Sequence, residues 1–198
     1  MAILVEHDKR KHEILQKSLD VFVEEGYEDA TFQKIADRCG ITRTTLYIYF
    51  KNKYEIFLGS LKQLLNGLEE ELTGILADES LKSEETLRKI LKTIIDYCEA
   101  NEKLFQVILS YLTQLKKTGV DTSERVRRRI IKLKHVLSTI LIRGIQSGEF
   151  KQCNVKDVNQ LFYDLIEASI FHSIIMNKKT STSVRKTLDL VVDTLVNK

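Results

Sequence analysis

The stretch from Ala30 to Lys53, ATFQKIADRCGITRTTLYIYFKNK, restricts the fold more than any other part of this chain. Two short helical patterns flank Gly40. In the first, Thr31 to Cys39, the residues Phe32, Ile35 and Ala36 share one side; in the second, Thr42 to Phe50, Leu46 and Phe50 lie four apart and face the same way. Gly40 supplies the left-handed backbone that a tight helix-to-helix turn needs. Ala36 is small enough for the two helices to cross closely, and Ile41 and Leu46 fill the crossing. Thr42 is a good N-cap, so the second helix starts directly after the turn. The spacing predicts a helix-turn-helix, whose second helix enters the major groove of DNA.

Charge in the same stretch points the same way. From Thr31 to Lys53 the basic residues are Lys34, Arg38, Arg43, Lys51 and Lys53, against Asp37 alone. The exposed positions of the second helix are Arg43, Thr44, Thr45, Tyr47 and Tyr49, all of them hydrogen-bonding side chains. A merely solvated helix more often carries Glu and Lys there. The bland alternative is an αα-hairpin that happens to be basic.

The run GYEDATFQKIADRCGITRTTLYIYFKNKYEIF resembles the N-terminal DNA-binding segment of the TetR family of bacterial transcriptional regulators. The resemblance rests on Gly26-Tyr27, the Thr31 cap, Ile35-Ala36, Gly40-Ile41-Thr42, Leu46-Tyr47, Phe50, and Lys53 followed by an apolar residue. Thr44 stands where a small residue, often Gly, is common, and Asp20 and Phe32 also depart from the usual pattern; these positions bear on which operator is read. Carried over residue by residue, the resemblance implies that Gln33 meets a base or phosphate and that Arg43 and Thr44 open the recognition helix, with Arg43 suited to guanine. It implies that Tyr47 contacts backbone or base, with Tyr49 beside it and Thr45 on the same helix. Lys53 and the Thr31 hydroxyl suit phosphates.

Composition bounds the rest. At 198 residues and 43% apolar, the chain can bury a sizeable core. A net charge of only +3 means that any nucleic-acid binding comes from a local patch. The chain has no proline, which permits long uninterrupted helices and predicts an all-α fold. Cys39, Cys98 and Cys153 are distant and odd in number, which predicts a reducing cytoplasm and no disulfide scaffold. No apolar run approaches the ~18 residues of a membrane span.

Read in order, residues before about His7 are expected to form a poorly fixed arm. Helix one is expected from about Asp8 to Glu25, closed by Gly26. Asn52 should cap the next helix, with Glu55 completing a capping box, and its apolar stripe runs from Ile56 to Ile75. Further helices are expected from Ser83 to about Ala100, Asn101 to Lys117, Asp121 to Ser147, Asn154 to about Met176, and Ser181 onward. Between Val158 and Met176 the apolar residues cover more than one face, which suggests a second partner. The resemblance implies that the last two helices pair with their copies in a homodimer. The expected organisation is a helix-turn-helix DNA-binding domain at 1–53 and a larger helical ligand-binding and dimerisation domain at 54–198.

Tyr97, Phe105, Tyr111, His135, Phe162 and His172 sit on otherwise apolar helices and are candidates to line a ligand cavity, although each alone is more often ordinary core. The basic run Arg125, Arg127, Arg128, Arg129, Lys132 and Lys134 reads first as a solvated face. His7, His12, His135 and His172 show no zinc spacing, and no phosphate loop, nucleophile elbow or H-E-x-x-H appears, so neither enzyme, metal nor cofactor is expected. The expected function is a regulator, in the first instance a repressor. A homodimer would hold two recognition helices about 34 Å apart on a double-stranded operator and be released by a small-molecule effector. The alternative is a helical dimeric sensor whose DNA binding is non-specific.

Overall fold

Caps and apolar spacing settle where the helices begin and end. A computed structural model of the chain describes residues 2–117, 123–176 and 181–197, with side chains at 6–117, 131–174 and 182–197. The described helices are α1 (Ala2–Asp29), α2 (Phe32–Cys39), α3 (Arg43–Tyr49), α4 (Lys53–Ala77), α5 (Ser83–Ala100), α6 (Glu102–Lys117), α7 (Ser123–Gln146), α8 (Val155–Met176) and α9 (Ser181–Leu195). The fold is all-α, an N-terminal helix-turn-helix followed by a helical C-terminal part. Among the described residues the only β-type pairing is an isolated bridge between Phe150 and Val196. No described helix is long and apolar enough to cross a membrane.

One expected boundary moves, and one helix start is capped from elsewhere in the chain. Helix α1 begins at Ala2, well before Asp8, because nothing in the first residues stops a helix: they contain neither glycine nor proline. Gly26 breaks α1 with φ 79 and ψ 168, and a short helical segment then continues to Asp29. At α5, Ser83 is the first helical residue and not the cap. The acceptor at that helix start is Glu149, which follows α7 in sequence. Its carboxylate takes hydrogen bonds from the Ser83 hydroxyl (3.1 Å) and the Glu84 N–H (3.4 Å).

The chain divides into two compact units. The first ends at Leu68 and takes in Gln106–Tyr111; the second holds Glu69–Phe105 and the chain from Leu112 onward. In the first unit α1 packs on α2, and α2 on α3. Ile14, Leu15 and Phe22 of α1 are buried, as are Ile35, Ala36, Leu46, Phe50, Ile56 and Phe57, and the rings of Phe22 and Phe57 lie 4.9 Å apart. Removing each such side chain from water stabilises the unit by about 1.5–3 kcal/mol, an upper figure for an extended unfolded chain. The Ser60 hydroxyl donates to the Leu15 carbonyl at 2.7 Å, which satisfies both groups inside the packing. Tyr111 completes an aromatic cluster, its ring 4.5 Å from Tyr27 and 4.9 Å from Phe57.

In the second unit α5 is central and packs against α7, α8 and α9, while α8 packs on α7 and α9. Its inward stripe, Leu87, Ile90, Leu91, Ile94 and Ile95, is buried, as are Leu137, Ile140, Leu141, Phe162, Leu188 and Val192. Ion pairs fasten α5 to α9: Arg88 bonds Asp189 at 2.9 Å and also Asp193, and Arg185 bonds Asp96 at 2.6 Å and Glu99 at 3.0 Å. The three cysteines are free.

Glu149 makes the second unit acid-sensitive. Burial raises its pKa, but hydrogen bonds from Ser147, the Glu84 and Ser83 backbone and the Ser83 hydroxyl outweigh this and hold it below the ordinary glutamate value. A folded-state pKa below the unfolded one gives stability that is present above the unfolded value and lost as pH falls through the folded one. The thermal midpoint should therefore fall as pH drops from ~6 to ~3. Glu149→Gln should be less stable near neutrality and show a shallower fall, measured by circular dichroism melts across that range.

Candidate nucleic-acid interface

The local chemistry of the turn fixes where α2 ends and α3 begins. Thr31 caps α2, its Oγ1 accepting from the Lys34 N–H at 3.2 Å, and Gly40 ends it at φ 67 and ψ 36. The Ile41 N–H reaches back to the Ala36 carbonyl at 3.0 Å, so the chain turns with its last α2 carbonyls satisfied. Thr42 then caps α3, accepting from the Thr45 N–H at 3.1 Å. Only Leu46 of α3 is fully buried, as the expected plug of the crossing.

What α3 turns outward is mixed. The Arg43 guanidinium donates to the Tyr47 hydroxyl at 3.2 Å and lies 5.7 Å from the centre of its ring. The other face of Tyr47 stacks on Phe32 at 4.5 Å, which fixes the ring and leaves its tip in solvent. Thr44 is exposed. Thr45 is half-buried and its hydroxyl lies 2.8 Å from that of Thr42, so it serves the cap. Tyr49 is half-buried and stacks on His7 of α1 at 4.7 Å.

Of the five basic residues in this stretch, the structure ties three, Lys34, Arg38 and Lys53, to partners on α1. Lys34 bonds Glu25 at 2.6 Å, and Arg38 bonds Glu24 (3.1 Å from Nη1) with Asp20 at 3.9 Å. Lys53 donates to the carbonyls of Tyr27 (2.6 Å) and Glu28 (2.8 Å) and sits 4.6 Å over the Tyr27 ring. It therefore ties the start of α4 to the end of α1, and an ammonium has one donor beyond these two. Gln33 is exposed and donates to Asp37 at 2.7 Å. The cap of α4 also differs in detail: the Glu55 N–H donates to Asn52 Oδ1 at 2.9 Å, while the Glu55 carboxylate takes the Lys51 N–H at 2.8 Å, one residue earlier than a capping box requires.

The family model described as bacterial regulatory proteins, tetR family, matches residues 14–59, which span this whole arrangement from α1 into α4. Residues 14–59 are a TetR-family DNA-binding segment. The whole chain is 26% identical over 199 residues to the fatty acid metabolism regulator protein of Bacillus subtilis (strain 168), an alignment covering 94% of this chain and 95% of that protein. The structure of a TetR transcription regulator from Haloarcula marismortui ATCC 43049 superposes with a TM-score of 0.84 at 20% identity, over 96% of this chain and 100% of that one. The transcriptional regulator FadR from Bacillus subtilis, solved in complex with stearoyl-CoA, gives 0.71 at 22% identity, over 93% of this chain and 97% of that one. At those identities the two structural likenesses speak to the fold.

The candidate cavity residues differ in burial and in the unit that holds them. Tyr111 belongs to the first unit's aromatic cluster. His135 and His172 are exposed, Phe162 is fully buried, and Tyr97 and Phe105 are half-buried. Burial raises the Tyr97 phenol, and Cys98 adds to it; the Cys98 thiol is itself pushed up to about 12 by burial. Arg125, Arg127, Arg128 and Arg129 lie outside the residues whose side chains are described, whereas Lys132 bonds Glu69 at 2.6 Å. Among the described residues no group of His, Cys, Asp and Glu could hold a metal. One outward residue was missed from the sequence: Ile48, which is 71% exposed on α3. The outward face was read from its hydrogen-bonding side chains alone, although the spacing that turns Leu46 inward places Ile48, two residues on, toward the opposite side.

Proposed function

We propose that this chain is a TetR-family transcriptional regulator, a cytoplasmic homodimeric repressor that reads a double-stranded operator through α3 and leaves it on binding a small-molecule effector. The observation that carries this is the outward face of α3, where Arg43, Thr44 and Tyr47 stand exposed beyond a fully buried Leu46. DNA contact is assigned to Arg43, Thr44 and Tyr47, with the exposed Thr31 and Gln33 and the spare donor of Lys53 toward phosphates. Residues 1–53 carry DNA recognition and 54–198 carry ligand binding and dimerisation. The dimer forms through α8 and α9, where Leu161 (44%), Phe171 (56%) and Leu190 (63%) are exposed apolar side chains.

The effector proposed is a long-chain acyl thioester. Support for it is the full-length similarity to a fatty acid metabolism regulator and the fold shared with a FadR solved with stearoyl-CoA. Release requires only that the effector bind the DNA-incompetent geometry more tightly, by about 1–3 kcal/mol. Stearoyl-CoA added to the protein–operator complex should weaken binding by about 5- to 150-fold, measured by fluorescence anisotropy, while coenzyme A alone should not. No change with stearoyl-CoA at saturating concentration would remove this effector and leave the DNA reading standing. The alternative, a dimeric sensor with only non-specific DNA binding, would show a salt-dependent affinity that does not vary with sequence.

A further inference from the structure

Helix α3 shows two ridges to solvent, and only one of them is polar. Arg43 and Tyr47, one turn apart, form the first and are bonded to each other. Thr44 and Ile48, also one turn apart, form the second. At about 100° per residue, Thr44 and Ile48 each lie about 160° from the buried Leu46, one on either side, so between them they straddle the direction pointing away from the protein. Ile48 is the most exposed large apolar side chain among the described residues. Exposed there, the isoleucine contributes nothing to the stability of the free chain.

The surroundings decide what covers it. Arg43 stands exposed at the start of the same helix, and Lys51 is exposed just beyond its end. A second copy of this basic face would repel, whereas the phosphates of DNA complement it. Within the major groove, the apolar feature of the base edges is the C5 methyl of thymine, which apolar side chains and threonine methyls contact. We infer that Ile48, with the Thr44 methyl beside it, reads a thymine methyl in each half-site and so sets base preference next to the base read by Arg43. The inference rests on α3 being the recognition helix, and it names a specificity residue that the polar chemistry of that helix does not.

The test is to select duplexes from a random library with the wild-type protein, then replace each thymine of the selected site by deoxyuridine, which removes only the methyl. At one position per half-site the replacement should weaken wild-type binding by about 3- to 10-fold, the effect of one buried methyl. Ile48→Ala should bind the thymine and uracil duplexes equally, while its thermal midpoint stays at the wild-type value because the side chain is exposed. Methyl removal without effect at every thymine, a selected site without thymine, or an equal penalty in Ile48→Ala would overturn the inference. A wild-type protein that selects no sequence at all would overturn the recognition reading with it, a distinguishable failure.

Discussion

Arg43→Ala combined with Tyr47→Ala is expected to weaken binding to the selected operator by about 10³-fold or more, at about 1–3 kcal/mol for each lost base or backbone contact in the two half-sites. The thermal midpoint should change little, because both side chains are exposed and the main loss is the stacking of Tyr47 on Phe32. The two single substitutions should not add, since the guanidinium is held by the phenol it donates to and either change releases both. Lys34→Ala and Arg38→Ala give the contrasting expectation, less than about 3-fold on operator affinity, because these cations bond Glu25 and Glu24. Anisotropy titrations at one fixed salt concentration distinguish the two classes, as phosphate contacts vary steeply with salt. Equal losses from all four residues would mean that the patch acts as undifferentiated charge.

Phe171→Asp combined with Leu190→Asp is expected to give a monomer in sedimentation at micromolar concentration. Both side chains are solvent-exposed in the single chain, so the folded protomer should tolerate the change, whereas a dimer face would be left with buried unpaired carboxylates. Operator affinity should then fall by about 10²–10⁴-fold, since each half-site is bound without the second tethered beside it. A variant that stays dimeric would place the interface elsewhere than α8 and α9.

The helix-turn-helix was legible because its signals are local. Thr31, Gly40 and Thr42 act within four residues of where they stand, and each does in the structure what its residue type dictates. The interface charge was not legible, because the partners of Lys34 and Arg38 are Glu25 and Glu24, on α1, outside the stretch over which charge was summed. The tie that Lys53 makes to α1 was hidden for the same reason: the carbonyls of Tyr27 and Glu28 that it bonds are far away in sequence. Ile48 was legible in principle, since its spacing from Leu46 turns it outward, but that face was read only for hydrogen-bonding side chains. In the C-terminal helices the aliphatic residues fix packing without naming a ligand, and an aromatic among them, such as Tyr111, can belong to the N-terminal unit.

The most direct measurement of the central claim is the ratio of affinities for the selected duplex and for a randomised duplex of equal length, at the same salt. A protein that places two copies of α3 in successive major grooves should prefer its site by about 10³-fold or more. It should also lose most of that preference when the half-sites are moved apart by about five base pairs, half a helical turn, which puts them on opposite faces of the duplex. Equal affinity for both duplexes, or indifference to half-site spacing, would contradict the account.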